Sequence, residues 1–338
     1  MPSFNVSTLQ TELQSYIGDY TKIYGLKLAN GFDEKRNGDL VVMPTENRMP
    51  LVRDSVNPIL QPGKTGSVNF TNNVLTLKNR MAQIKPFKAD LQLGEVELYQ
   101  WSKSFLAQKL PETSSDIYGF SALAYYMGRI MDRAGKDING AIYSGVLNTA
   151  GGVGGANLFD GLGIKFLQGF TTVAGGGVED IPATNVFAAA AVINQANILT
   201  EIQKAVNIVI NSDDLVEYAE EDATYFMPFR HYAMMKASIA AQPLTKGDEV
   251  VMKTGTNEYR LSMLPNTIIK PRNFLFGKEK QFWTPKGNLF FLVPDANGAA
   301  DVANITTEYI SRNMNIFLDG EAGVDYADGR LLVMNNKW

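Results

Sequence analysis

The chain has 338 residues, 45% of them apolar and 20% charged, enough for one large or two medium domains around a real hydrophobic core. A formal net charge of −4 argues against a sequence-independent DNA binder, which needs a basic face. With no cysteine and one histidine, His231, the chain has no disulfide framework, thiolate metal site, cysteine nucleophile or multi-histidine site; a carboxylate site stays open.

The N-terminus, "MPSFNVSTLQTELQSYIGDY", lacks the basic start and apolar run of a signal peptide. No segment approaches the roughly 18 uncharged apolar residues of a membrane span. These features predict a soluble protein, made in the cytoplasm. Residues 8–24 read as a short amphipathic helix, with Leu9, Leu13, Tyr16, Ile17 and Tyr20 on one side. Residues 25–65 carry Gly31, Gly38, Pro44, Pro50, Pro58, Pro62 and Gly63 without periodicity. They read as an extended arm with short strands such as "DLVVMP". Residues 66–99 turn to strand chemistry, Val68 and Phe70 before "TNN" and Val74, Leu75 and Leu77 after it. This predicts a two-stranded hairpin turning at "TNN", and a lone hairpin is marginal in water, so it leans on something else. "GEVELYQWSKSFLAQ" gives a helical turn or two before Pro111.

A long helix is predicted over 114–148, with Ser114 or Ser115 as cap and Asp116 in the first turn. Its apolar stripe runs Ile117, Phe120, Leu123, Ala124, Met127, Ile130, Met131, Ala134, Ile138, Ala141 and Ile142. Some thirty residues at 1.5 Å each would span roughly 45–50 Å. Gly128, Gly135 and Gly140 each cost about 1 kcal/mol in a helix. They need offsetting tertiary contacts, or they admit another backbone. "TAGGVGGAN" (149–157), centred near Gly154, reads as a flexible hinge and the main domain boundary.

In the second half, "LFDGLGIKFLQGF" predicts a helix and "TNVFAAAAVINQANILTEIQKAVN" one or two more. "ATYFMP" predicts a strand and "FRHYAMMKASIAAQ" a helix. "NEYRLSMLPNTIIKP" and "GNLFFLVP" read as strands, and "ITTEYISRNMNIFLDGEAGVDYADGRLLVM" as strand-rich with a turn near Asp319–Gly320. There is no internal repeat.

The chemical inventory is thin. "PGKTG" (62–66) echoes a phosphate-binding loop, but Pro58 stands where its first glycine belongs. "GGVGGANLFDG" fails the dinucleotide fingerprint at Asn157. The densest carboxylates, "SDDLVEYAEED" (212–222), can run acid–base chemistry or hold Mg²⁺ through Asp213, Asp214 and Glu217. Asp213 and Asp214 also suit a helix start beside Ser212, with Glu217, Glu220 and Glu221 on a solvated face, and this reading is preferred. His231, near the start of a helix after Pro228, has no nucleophile elbow to serve and reads as structural or surface. Basic residues are dispersed, the tightest group being the acid-flanked "FDEKRNGD". No cofactor, metal or catalytic residue is assigned, and the chain reads as no enzyme. An arm, a hairpin and a rod cannot all be buried in one subunit, and such parts draw their stability from neighbours.

This layout resembles the major capsid proteins of tailed double-stranded DNA bacteriophages, with the Hong Kong 97-type fold. The resemblance rests on the order of parts over nearly the whole chain and on local wording. "LFDGLGIKFLQ" (158–168), "EEDATYFMPFRHYAMM" (220–235), "LPNTIIKPRNFLFGKEKQFWTPKGNLFFLVPD" (264–295) and "NIFLDGEAGVDYADGRLLV" (315–333) are similar to segments of that family, though none is a strict motif. It implies an α+β fold with an N-terminal arm (1–35) and an E-loop hairpin region (36–90). It implies a peripheral domain (91–150 and 281–317) with spine helix 114–148, and an axial domain (151–280 and 318–338). Some members begin with a long acidic scaffolding segment; this chain begins with a short helix, which implies a separate scaffolding protein or an already mature chain.

The function so implied is a major capsid protein that self-assembles as hexamers and pentamers into an icosahedral shell. Implied partners are a scaffolding protein, a portal, possible decoration proteins, and packaged double-stranded DNA contacted weakly and without sequence specificity; no membrane is involved. The location implied is the virion capsid, assembled in the bacterial host cytoplasm. Assembly or hinge candidates are Gly128, Gly135, Gly140, Gly154, Phe70 and Leu75. Spine bending at these glycines implies that Gly135→Ala stabilises the isolated subunit yet impairs shell expansion. The rival readings are an encapsulin-type nanocompartment shell and the carboxylate-dependent Mg²⁺ enzyme.

Overall fold

The computed structural model describes residues 38–56, 75–94, 122–148, 157–170, 180–241, 250–253, 258–272, 279–296, 299–300, 303–310 and 313–338. The helix expected over 8–24, "PGKTG", Phe70, the helical turn before Pro111 and Gly154 lie outside these residues.

Four strands come first: β1 (Val41–Thr45), β2 (Arg48–Val56), β3 (Leu75–Gln83) and β4 (Lys85–Gly94). The hairpin is longer than expected and differently paired. β2 lies antiparallel to β3 from Arg48↔Gln83 to Val56↔Leu75. Among the described residues the partner of the Leu75 strand is the Pro50-bearing segment upstream; residues 66–70 and "TNN", where the turn was expected, lie outside them. Proline survives in β2 because a two-stranded ribbon has only edge strands, where a missing N–H is tolerated.

Helix α1 (Ala122–Ser144) is the predicted rod; its predicted first turns lie outside the described residues, and it stops four residues early. At 1.5 Å per residue its described part is about 35 Å long. The stripe holds, with Met131, Ile138, Ala141 and Ile142 buried. Helix α2 (Leu162–Phe170) follows as expected. Ala183–Asn185 form a short 3₁₀ turn, but residues 186–197, also expected helical, are not helical. Val186–Phe187 form strand β5, paired in parallel with Met334–Asn335. Asn194 and Asn197 then bond each other's backbone N–H groups through their side-chain oxygens, an alternative to helix that asparagine favours. Helices α3 (Ile198–Asn211) and α4 (Asp213–Val216), strand β6 (Ala223–Pro228) and helix α5 (Phe229–Ala241) come next.

The remaining elements are strands: β7 (Val251–Lys253), β8 (Tyr259–Leu261), β9 (Thr267–Arg272), β10 (Phe282–Pro285), β11 (Leu289–Ala296), β12 (Ala299–Ala300), β13 (Ala303–Ile310), β14 (Asn313–Tyr326) and β15 (Val333–Asn335). The turn expected near Asp319–Gly320 is absent. β14 runs straight through, Asp319 facing Lys88 of β4 and Asn304 of β13. Ile316, Leu318, Ala322, Val324 and Tyr326 alternate into the core, and this continuous period of two overrides the local turn signal.

Two main sheets result. One runs β1-β11-β14-β13, with β4 on β14 and β12 on β11; the other is seven-stranded, β5-β15-β10-β6-β9-β8-β7. The first shares a core with α1 and α2, through Ile138, Ile142, Phe166, Ile316, Val324 and Tyr326. Phe159, Leu162 and Phe166, which follow the expected boundary, thus share a core with the end of the spine helix. The second sheet packs α3, α4 and α5 around Ile202, Val209, Leu215, Tyr225, Met235 and Trp283. "TPKGNL" is the crossing from β10 of one sheet to β11 of the other. Gly287 takes φ 91° there, a value glycine adopts without strain. The Asn288 side chain donates to Thr284 Oγ1 (3.0 Å) and the Asp328 carbonyl (3.1 Å) and accepts from Asp328 N–H (2.9 Å). One side chain therefore also braces the return crossing from β14 to β15.

Candidate functional site

The spine helix ends where three glycines let backbones touch. A Cβ on Gly145 would lie 2.4 Å from the Phe159 carbonyl oxygen, and one on Gly161 2.4 Å from that of Ala141. A Cβ on Gly163 would lie 2.8 Å from the Tyr143 carbonyl oxygen. Gly161 N–H donates to the Gly145 carbonyl (2.9 Å), and Leu147 N–H to Asp160 Oδ1 (2.9 Å). Asn148 N–H reaches the Asn157 carbonyl (3.3 Å), so the two ends of the glycine-rich stretch meet. "FDGLG" in the family-like wording is thus the surface on which α2 crosses the spine. These close-approach glycines were not singled out from sequence; their signal was the pair of glycines two residues apart at a helix start.

Of the glycines that were singled out, Gly135 and Gly140 lie within α1, and a Cβ on either would meet nothing within 4 Å. Among the described residues no backbone approaches either as closely as at Gly145 or Gly161. Gly128 is also within α1, and Leu75 opens β3.

The hairpin root is held by charge. Arg80 of β3 bonds the Asp180 carboxylate (3.0 Å), pairs with Asp325 (3.0 Å), donates to the Tyr326 carbonyl and lies 3.7 Å over the Tyr326 ring. Burial raises the Asp325 carboxyl, against the pull of Arg80 and of Lys165, 3.9 Å away. Beside it Leu51, Ala82, Ile84 and Leu292 form a small apolar cluster. A second charge centre lies before β1. Asp39, its side chain fully buried, accepts from Lys270 Nζ (2.7 Å) and from the Arg272 guanidinium.

His231 is buried among polar partners. Tyr225 donates to Gln281 Oε1 (2.7 Å), and the Gln281 amide faces His231 Nδ1 at 2.9 Å. Burial pushes the imidazole down to about 4, with nearby Arg230 adding to the effect. The same burial raises the Tyr225 phenol. The folded protein thus prefers neutral His231, so stability is full above the ordinary histidine value of about 6.5 and falls as pH drops toward 4. The slope is at most about 1.4 kcal/mol per pH unit. His231→Gln removes that share of the acid loss, which chemical denaturation at pH 7 and pH 5 measures; equal losses in both proteins refute it.

Asp213 and Asp214 open α4, and with Glu217, Glu220 and Glu221 they are solvent-exposed. Among the described residues no group of three or more acids and histidines is placed to hold a metal ion, and no helix is long and apolar enough to cross a membrane.

No protein-family model matches the sequence, and no curated protein does. Solved structures do. The capsid of Myoviridae phage XM1 is 14% identical, with 89% of this chain and 90% of that chain covered, at a TM-score of 0.55. The satellite phage P4 procapsid, including its size determination (Sid) protein, is 14% identical, covering 94% and 99%, at 0.53. The capsid of an empty GTA particle is 9% identical, covering 90% and 89%, at 0.52. At such identities the likeness is one of architecture, and it agrees with the helix, hairpin and two sheets above: this chain has the α+β Hong Kong 97-type fold of phage capsid subunits.

Proposed function

We propose that the chain is a major capsid protein that self-assembles into hexamers and pentamers of an icosahedral phage head. The observation that carries this reading is the likeness, over about nine-tenths of the chain, to subunits of the XM1 capsid and the P4 procapsid. On this reading the β2–β3 ribbon, rooted by Arg80, and the spine helix are the parts that meet neighbouring subunits. On this reading residues 1–35 are an arm and 36–90 an E-loop region. Residues 91–150 with 281–317 are the peripheral domain, and 151–280 with 318–338 the axial domain. Gly128, Gly135, Gly140 and Gly154 are hinge candidates for expansion, and Phe70 and Leu75 hairpin contacts. Partners are further copies, a scaffolding protein, a portal, decoration proteins and packaged DNA. A mildly acidic chain suits that DNA, because a tight grip would hinder packing and ejection. The product belongs to the virion and assembles in the host cytoplasm. No catalytic role is assigned.

Expression of the chain alone, followed by sedimentation and negative-stain electron microscopy, tests this. Closed shells, tubes or isolated hexamers and pentamers are expected. A compact monomer at high concentration would refute it, and shells filled with a cargo protein in place of DNA would turn it toward a nanocompartment.

A further inference from the structure

We propose that Arg80 is the positioning residue that sets the angle at which the β2–β3 hairpin leaves the body of the subunit; that this angle serves assembly rests on the capsid reading above. The root of the hairpin has a pivot and a stay. The pivot is backbone on backbone. A Cβ on Gly323 would lie 2.4 Å from the Gln83 carbonyl oxygen, so β3 ends flat against β14 at that glycine. Ile84 N–H bonds the Asn47 carbonyl (3.2 Å) and closes the root. The apolar cluster of Leu51, Ala82, Ile84 and Leu292 covers this point. Apolar contact is non-directional, so a pivot of this kind resists separation more than it resists rocking.

Arg80 stands three residues outward from Gln83, about 10 Å along the strand. Its guanidinium is engaged in several directions at once. It meets Asp180 from the segment after α2, Asp325 within β14, and the carbonyl and ring face of Tyr326. A planar fork with fixed donor directions defines an orientation that a flexible ammonium does not. A pivot plus a directional stay fixes an angle. From the Gln83 pivot to the Val56↔Leu75 pair the ribbon runs eight residues, about 26 Å, so a 10° rock at the root moves that end by about 4.6 Å. Lys165 remains beside Asp325 when Arg80 is removed, so the body keeps a cation for its buried carboxylate.

The chain has no cysteine, so Ser55→Cys and Asn211→Cys give unique spin-label sites on hairpin and body. Electron–electron distances are measured on dilute full-length subunits, with shell yield measured separately. The expected result is one narrow distribution for the parent. Arg80→Met broadens it by about 4 Å, Arg80→Lys gives an intermediate, and Asp180→Asn, which leaves Asp325 intact, broadens it less. Shell yield falls in the same order. An unchanged distribution in Arg80→Met, or in Asp180→Asn should the first variant not fold, overturns the assignment. Normal shells from a subunit with a broadened hairpin overturn its role in assembly. A parent that forms no shell refutes the capsid reading alone, because the distance measurement needs none.

Discussion

Replacing Gly161 with alanine removes more than about 4 kcal/mol of stability, while Gly135→Ala in the spine helix adds about 1 kcal/mol. Both changes add one methyl group; what each meets decides the sign. The Cβ at 161 would lie 2.4 Å from the Ala141 oxygen, 2.8 Å from Gly145 N and 2.9 Å from Tyr143 C. All three are backbone atoms of the last turn of α1 or the residue after it, and backbone cannot swing aside as a side-chain tip does. Relief requires α2 to lift off the spine. That stretches the Gly161–Gly145 bond and uncovers Leu162 and Phe166, both wholly buried. At 135 the new methyl meets nothing within 4 Å among the described residues, and the helix preference for alanine sets the sign. Thermal denaturation of the isolated subunit reads both. A Gly161→Ala melting temperature within a degree or two of the parent would mean that the crossing is softer than its distances say. If the spine bends at Gly135 during expansion, the more stable Gly135→Ala subunit builds shells that expand poorly, and normal expansion removes that glycine from the hinge.

The pairing of those two glycines shows what a sequence reveals. Helix stripes and the boundary at Pro228 are local, and so the described part of α1, β6 and α5 could be read directly. The hairpin partner was missed because Pro50 sits inside β2, and proline argues against a strand unless that strand is an edge. The Asp319–Gly320 turn was expected from a local dipeptide, yet β14 is fixed by neighbours on both sides, β4 from far upstream and β13. Helix was expected from Thr184 to Asn207 and forms only from Ile198 on, because Val186–Phe187 pair with β15 from the far end of the chain. The site residues were the least visible. Arg80 and Asp180 are 100 positions apart, and Asp39 and Arg272 are 233 apart. No periodicity connects them. Asp39 sat within a charged segment that looked like solvated arm.

That aspartate carries the second large effect. Asp39→Ala costs about 3–5 kcal/mol, and Asp39→Asn costs less because it keeps an acceptor oxygen. Asp39 precedes β1, which adds to the six-stranded sheet, while Lys270 and Arg272 end β9 of the seven-stranded sheet. Its carboxylate is thus the tie between the two sheets at this corner. The side chain is wholly buried and its two cations are largely so, with 24% and 14% of their side chains exposed. Deleting the acid leaves Lys270 and Arg272 close together in poor solvent without the carboxylate that both bond, and the loss of that shared counter-charge, more than the lost attraction, is the source of the penalty. The triple change Asp39→Leu, Lys270→Met, Arg272→Met therefore recovers most of the loss, since it removes the charges together. Equilibrium urea unfolding of the three proteins separates the possibilities. Recovery in the triple variant means that the tie is a matter of compensation, and an apolar contact can replace it. A triple variant as weak as Asp39→Ala means that the directed bonds from Lys270 and Arg272 hold the start of β1 in register against β11, and that packing alone does not.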